Sequence, residues 1–97
     1  MTHRYQLTKT AARKLEAEIK RSRDTWGVKH AQKYKQDLME LVRNISIHPK
    51  LYAERPEIGK GIRCVRFKGN YIIYELNKDQ NGIVVLNFPS IHEQNKL

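Results

Sequence analysis

Cysteine and long apolar runs are both scarce in this sequence. Cys64 is the only cysteine among 97 residues, so neither an intrachain disulfide nor a cysteine-based zinc site can form. Its position inside a predicted strand favours a small apolar packing role over a nucleophilic one. No run approaches the roughly 20 apolar residues that span a bilayer, and the N-terminus lacks the continuous apolar segment of a signal peptide. We therefore expect a cytoplasmic protein with no membrane partner.

Acidic residues are also few. Asp and Glu together number 10 against 19 Lys and Arg, which gives a formal net charge of +9. A surplus this large favours an acidic partner, and the candidates are nucleic acid, a membrane surface or an acidic protein segment. The simpler alternative is a solvated basic surface that aids solubility. The length suits one domain, residues 1–97, built around a single core.

Two runs rich in β-branched and aromatic residues, 62–68 and 71–76, flank Gly69-Asn70. This pair tolerates positive φ, so the pattern predicts a β-hairpin with a two-residue turn. A third run, residues 83–88, follows a turn-rich segment and predicts a further strand. An isolated hairpin is marginally stable in water, so helices or further strands must cover one of its faces.

The first half of the chain predicts that cover. A short strand around Tyr5 and Leu7 leads to Thr8, a suitable helix N-cap, and to an amphipathic helix from residue 9 to about residue 25. Trp26-Gly27 interrupts the helical spacing, which resumes at Val28 with a broader apolar stripe and continues to Ile45. Two helices joined so tightly predict an antiparallel helical hairpin.

The predicted order is β-α-α-β-β-β. It corresponds to an α+β fold in which a helical hairpin packs on one face of a mostly antiparallel sheet. The segment 48–60 contains two prolines and a glycine, and we expect an ordered surface connection there. The tail after Phe88 is expected to extend the last strand briefly.

Motifs for cofactor or metal chemistry are missing from the sequence. It contains no Gly-rich phosphate loop, no His-Glu-x-x-His helix and no Cys/His cluster. The four histidines are too scattered to form a metal pair. We therefore predict neither a cofactor nor a metal site.

Metal-free cleavage of RNA is the remaining enzymatic hypothesis. It requires a base, an acid and cations around the phosphorane-like transition state. The candidates are two cations, a base and two alternative acids: Arg63 and Arg66, Glu75, and His92 or Tyr74. Strand alternation places Arg63 and Arg66 on opposite faces of their strand, so the two arginines do not share one phosphate unless a bulge intervenes.

Two binding hypotheses stand beside the enzymatic one. Tyr71 and Tyr74 interleave with basic residues, a pattern suited to base stacking on nucleic acid, although packing under the helices explains them equally well. A protein partner is the other possibility, because a sheet covered on one face leaves its other face or its edge open to an added strand or helix.

The order of these features resembles the ParE branch of the ParE/RelE superfamily, the toxins of type II toxin–antitoxin systems. The resemblance covers about 90 residues, and no single piece of it is specific. Its parts are the opening strand and helix, the helical junction, the loop with the entry to the sheet, and the remaining strands: Tyr5-Gln6-Leu7-Thr8, Ala11-Ala12 and Leu15; Trp26-Gly27, Ala31 and Tyr34; Pro49-Lys50-Leu51 and Gly61-Ile62-Arg63; Tyr71-Ile72-Ile73-Tyr74 and Ile91-His92.

The resemblance implies a growth-inhibiting toxin, of a kind linked to plasmid maintenance, in a complex with a cognate antitoxin. ParE-like members inhibit DNA gyrase by binding and block replication, and this is the function that we predict. The alternative is a RelE-like endoribonuclease that cleaves mRNA on the ribosome, for which Arg63, Arg66 and His92 are the catalytic candidates. In the ParE-like case Arg63, Arg66, Tyr74 and His92 are expected to contact partners, with no catalytic residue. The C-terminal residues after His92 depart from the family pattern.

Overall fold

The computed structural model describes residues 4–91. The elements follow the predicted order: β1 (Tyr5–Leu7), α1 (Lys9–Trp26), α2 (Val28–Ile47), β2 (Ile62–Phe67), β3 (Asn70–Leu76) and β4 (Ile83–Asn87). The four strands form one sheet in the order β1-β4-β3-β2. Two of the three pairings are antiparallel, as predicted, but β1 runs parallel to β4, so the sheet is mixed.

Both ends of α1 follow the signals in the sequence. The Thr8 hydroxyl accepts a hydrogen bond from the Ala11 N–H at 3.1 Å and donates one to the Leu86 carbonyl at 2.8 Å. This cap therefore starts the helix and also ties it to β4. At the other end, Gly27 has a φ of 96°, a conformation that favours glycine, and it is the only residue between the two helices.

The core lies between the helical hairpin and one face of the sheet. Its aromatic members are Tyr34, Phe67, Tyr74 and Phe88, and aliphatic residues of α1, α2, β3 and β4 fill the remaining space. Helix α2 contributes more buried residues to the core than α1 does. In α1 only Ala11 is fully buried. The broader apolar stripe of the second helix correctly predicted this difference.

The hairpin turn differs from the prediction by one residue. The turn residues are Lys68 and Gly69, because Phe67 pairs with Asn70 at the end of the ladder. Lys68 supplies the positive φ, 52°, whereas Asn70 belongs to β3 and is 2% exposed. The assignment of Gly69-Asn70 to the turn was therefore wrong. Hydrogen bonds between the side chain of Asn70 and distant residues hold it inside the sheet.

Two segments close the fold around β2 and β3. In the 48–61 connection, Glu54 forms a β-bridge with Arg63. After β4, the Tyr71 N–H donates to the Pro89 carbonyl at 2.9 Å and the Ile91 N–H donates to the Gly69 carbonyl at 2.8 Å. The chain therefore continues along β3 after its last strand, as the sequence predicted.

Candidate partner-binding surfaces

Arg63 lies in β2 on the sheet face that the helices cover. It shares this face with Val65 and Phe67, and both of these pack in or against the core. Its Nη1 donates to the Tyr52 carbonyl, and its Nη2 lies 3.4 Å from a carboxylate oxygen of Glu54. Only 12% of the Arg63 side chain is exposed. Arg63 thus fastens the 48–61 connection to the sheet.

Arg66 lies on the opposite face of the same strand and is exposed. The register between β2 and β3 runs without interruption from Ile62 to Phe67, so alternation holds along the whole strand. The Nε of Arg66 donates to the Lys68 carbonyl at 3.3 Å, which leaves the rest of the guanidinium at the surface. The two arginines therefore do not converge on one phosphate.

Tyr74 is a core residue with no exposed surface. Its hydroxyl donates to the Pro49 carbonyl at 3.2 Å, a bond between β3 and the start of the 48–61 connection. Burial raises the pKa of Tyr74 to about 12, and the nearby charge of Arg63 opposes that shift. In this position the side chain supports the fold and offers no surface to a partner, contrary to the contact role expected for it.

The buried phenol of Tyr74 predicts that the protein loses stability in alkali. Between pH 10 and pH 12 the unfolded chain releases this proton while the folded chain retains it, because the folded pKa is about 12 against an ordinary value of 10. The free energy of unfolding should fall by about 1.4 kcal/mol per pH unit from this group. Urea unfolding of wild type and Tyr74→Phe at pH 9 to 12 measures the difference, and equal pH slopes would contradict the assignment.

The remaining predicted site residue, His92, lies outside the described residues, and its role stays a prediction. Of the other three, only Arg66 is exposed. Glu75, the predicted base, is half-buried in β3 next to Tyr74. Alternation along β3 directs these two neighbours to opposite faces. Within residues 4–91 the candidate nuclease side chains therefore do not form one cluster.

Two large exposed apolar side chains lie where the two helices meet. Trp26 is 69% exposed and Val28 is 56% exposed, on either side of Gly27. We define the hairpin tip as residues 23–30, all of which are exposed. The sequence marked this place as a junction, because its only tryptophan precedes a helix-breaking glycine. It gave no sign that the tryptophan faces solvent.

Ion pairs neutralise part of the basic helical surface. Lys20 pairs with Asp24 at 3.2 Å and Lys33 with Asp37 at 3.1 Å, each one helical turn apart. Such exposed pairs stabilise the helices little, because solvent screens both charges. Basic residues that have no ion-pair partner among residues 4–91 remain along the hairpin: Arg23, Lys29 and Lys35. The hairpin therefore keeps a net positive surface.

Residues 4–91 contain no group of three side chains that could hold a metal ion. Across the same residues, neither α1 nor α2 has the length and apolar character needed to cross a bilayer.

Comparison with known proteins gives the family. The family model described as the ParE toxin of the type II toxin–antitoxin system, parDE, matches residues 5–92. A similar solved structure, titled "Chromosomal ParDE TA system from P. aeruginosa", has a TM-score of 0.75 at 21% sequence identity. The match covers 90% of this chain and 94% of that one, and at this identity it shows a shared fold. No curated protein sequence matches the chain significantly. The family match spans nearly the whole chain, and the protein therefore belongs to the ParE toxins of type II toxin–antitoxin systems.

Proposed function

We propose that the protein inhibits DNA gyrase by direct contact, and that a cognate antitoxin neutralises it. Membership of the ParE toxins supports the toxin part of this proposal. The observation that carries the choice of a binding mechanism is that Arg66 lies on the opposite face of the sheet from Arg63 and Tyr74, which are paired across β2 and β3. Arg63 is bound inside the fold, Arg66 is exposed on the other face of the sheet, and Tyr74 is fully buried. Acid–base cleavage needs such groups within hydrogen-bond reach of one phosphate.

The net charge of +9 on the toxin indicates what charge its antitoxin should carry. We infer an acidic antitoxin segment that folds on contact with the toxin, forming a hetero-oligomer in the cytoplasm, where gyrase acts. Arg66 is available for such a contact. The affinity of the complex should fall as salt concentration rises, because charges at a solvated interface are screened.

A supercoiling assay with purified gyrase tests this function directly. We expect the purified toxin to block the supercoiling of relaxed plasmid at concentrations comparable to that of the enzyme, since a binding inhibitor must occupy its target. Addition of the antitoxin encoded next to the toxin should restore supercoiling. An unrelated basic protein of the same size controls for nonspecific binding to the plasmid.

The ribonuclease alternative gives the opposite pattern. A ribosome-dependent endoribonuclease would leave gyrase unaffected and would cleave mRNA on translating ribosomes. If that result is obtained, and if Arg66→Ala abolishes the cleavage while preserving the fold, the gyrase proposal is wrong.

A further inference from the structure

The backbone geometry of the hairpin tip leaves two apolar side chains, Trp26 and Val28, exposed to solvent. Gly27 has a φ of 96° and directly joins two helices, so Trp26 ends one helix and Val28 begins the next. The ring of Trp26 lies 5.7 Å from the ring of His30, one helical turn into α2. Despite this contact, most of the surface of Trp26 and Val28 is exposed. Large apolar side chains that are exposed together indicate an interaction site.

The tip extends beyond the part of the hairpin that packs on the sheet. On α1 the last residue packed against the core is Ile19, and on α2 the first buried residue is Ala31. No residue from 23 to 30 is buried or half-buried. The core therefore does not require Trp26 or Val28, and their replacement should leave the fold intact.

Positive charge surrounds the apolar pair. Residues 20–35 contain six Lys or Arg and a single acidic residue, Asp24, which pairs with Lys20. Arg23 and Lys29 lie next to the apolar pair and have no ion-pair partner within the described part of the chain. The first turn of α2 has no acidic residue that could offset these cations.

We propose that the hairpin tip docks into DNA gyrase, with Trp26 and Val28 in an apolar recess whose rim is acidic. This inference rests on the gyrase-inhibitor function proposed above. Tryptophan and arginine are enriched among the residues that contribute most of the binding energy of protein interfaces, and such residues cluster near the centre of the interface. The convex shape of the tip requires a concave, folded partner, whereas an antitoxin segment that folds on contact needs a groove. Valine has no use in stacking on bases, so the pair fits a protein recess better than nucleic acid.

The first test compares apolar residues at and away from the tip. Trp26→Ala should raise the toxin concentration that half-inhibits gyrase on the order of 30-fold, the loss expected for a buried anchor. Val28→Ala should act in the same direction with a smaller effect. Leu51→Ala is the matched control, because Leu51 is 61% exposed but lies in the 48–61 connection. Circular dichroism and antitoxin affinity should be unchanged in all three variants.

The second test addresses the charged surroundings. Lys29→Glu should weaken gyrase inhibition by about tenfold and reduce its dependence on salt, because a rim charge acts mainly on the association rate. Lys60→Glu makes the same change at an exposed lysine of the 48–61 connection and should leave inhibition as in wild type. Equal losses in both variants would indicate an effect of net charge and would overturn the role of the tip.

A spectroscopic measurement locates the contact. Trp26 is the only tryptophan, so 5-fluorotryptophan gives a single fluorine resonance at the tip. We expect the chemical shift of this resonance to change with unlabelled gyrase and to stay unchanged with duplex DNA alone. A response to DNA alone, or loss of antitoxin binding in Trp26→Ala, would assign the tip to another partner. If wild type inhibits gyrase and Trp26→Ala inhibits it equally well, this inference is wrong but the proposed function stands. If wild type does not inhibit gyrase, the proposed function is wrong as well.

Discussion

Gly82→Ala should lower the free energy of unfolding by more than about 3 kcal/mol, a large fraction of the total stability of a small domain. Gly82 is buried directly before β4, where β1 lies alongside. A Cβ built at Gly82 would overlap the carbonyl oxygen of Arg4 and would lie 2.6 Å from its Cβ. The Nδ2 of Asn77 would lie 2.9 Å away on another side. The side-chain amide of Asn77 could rotate away, but the Arg4 carbonyl oxygen is a backbone atom and cannot move aside to make room for the methyl group.

The backbone around Gly82 is fixed on both sides. The Ile83 N–H donates to the Arg4 carbonyl at 3.0 Å, and the Gly82 carbonyl accepts from the Asn77 N–H at 3.0 Å. Relief of the overlap would therefore separate β1 from β4 or open the turn before β4. The loss of β1 would also expose Tyr5 and Leu7, which pack against the core. Overpacking against backbone is costly for this reason.

Gly69→Ala is the matched control for this prediction. Nothing lies within 4 Å of a Cβ at Gly69, and its φ falls outside the range that favours glycine. Its stability should stay within about 1 kcal/mol of wild type, with a small gain from reduced freedom of the unfolded chain. Urea unfolding followed by circular dichroism measures both variants. A Gly82→Ala midpoint equal to that of wild type would contradict the close packing of β1 on β4.

Local patterns in the sequence were sufficient to predict the helices and their junction. The spacing of apolar residues set α1 and α2, the Thr8 hydroxyl set the first cap, and Gly27 set the break, because each of these effects acts within a few residues. The order of strands along the chain also followed from local signals, namely alternation for β1 and short runs of β-branched and aromatic residues for β2, β3 and β4. The sheet was harder, because β1 pairs with β4 across most of the sequence, and no local signal encodes that parallel pairing.

The alternation of side chains along a strand predicted only part of the candidate site. It correctly separated Arg63 from Arg66, because side chains alternate along any regular strand. Alternation alone did not tell which face the helices cover, and so it did not reveal that Arg63 binds the Tyr52 carbonyl or that Tyr74 is sealed in the core. The exposure of Trp26 was hidden for the same reason, since it depends on how far the helical hairpin extends beyond the sheet.

Asn70→Ala is the second substitution with a large expected effect. Asn70 joins three parts of the fold from a buried position. Its Oδ1 accepts from the Tyr34 hydroxyl of α2 at 3.0 Å, and its Nδ2 lies 3.5 Å from the Phe88 carbonyl that follows β4. Alanine would leave the buried Tyr34 hydroxyl without this acceptor and would create a small cavity. We expect the free energy of unfolding to fall by about 3 kcal/mol.

Asn44→Ala provides the control for the substitution itself. Asn44 is exposed on α2, so the same change there removes no buried partner and improves helix propensity. Its stability should equal or slightly exceed that of wild type in the same urea experiment. A similar loss in both variants would mean that the effect does not arise from the buried hydrogen bonds.

A double-mutant cycle with Tyr34→Phe separates the hydrogen bond from the packing. Each single change leaves the other partner buried and unsatisfied, whereas the double variant leaves neither unsatisfied. The double variant should therefore lose less stability than the sum of the two single variants, by about 1–2 kcal/mol. Additive losses would show that the two side chains act independently. The hydrogen bond between α2 and β3 would then not be the reason that Asn70 is held inside the sheet and the turn falls at Lys68 and Gly69.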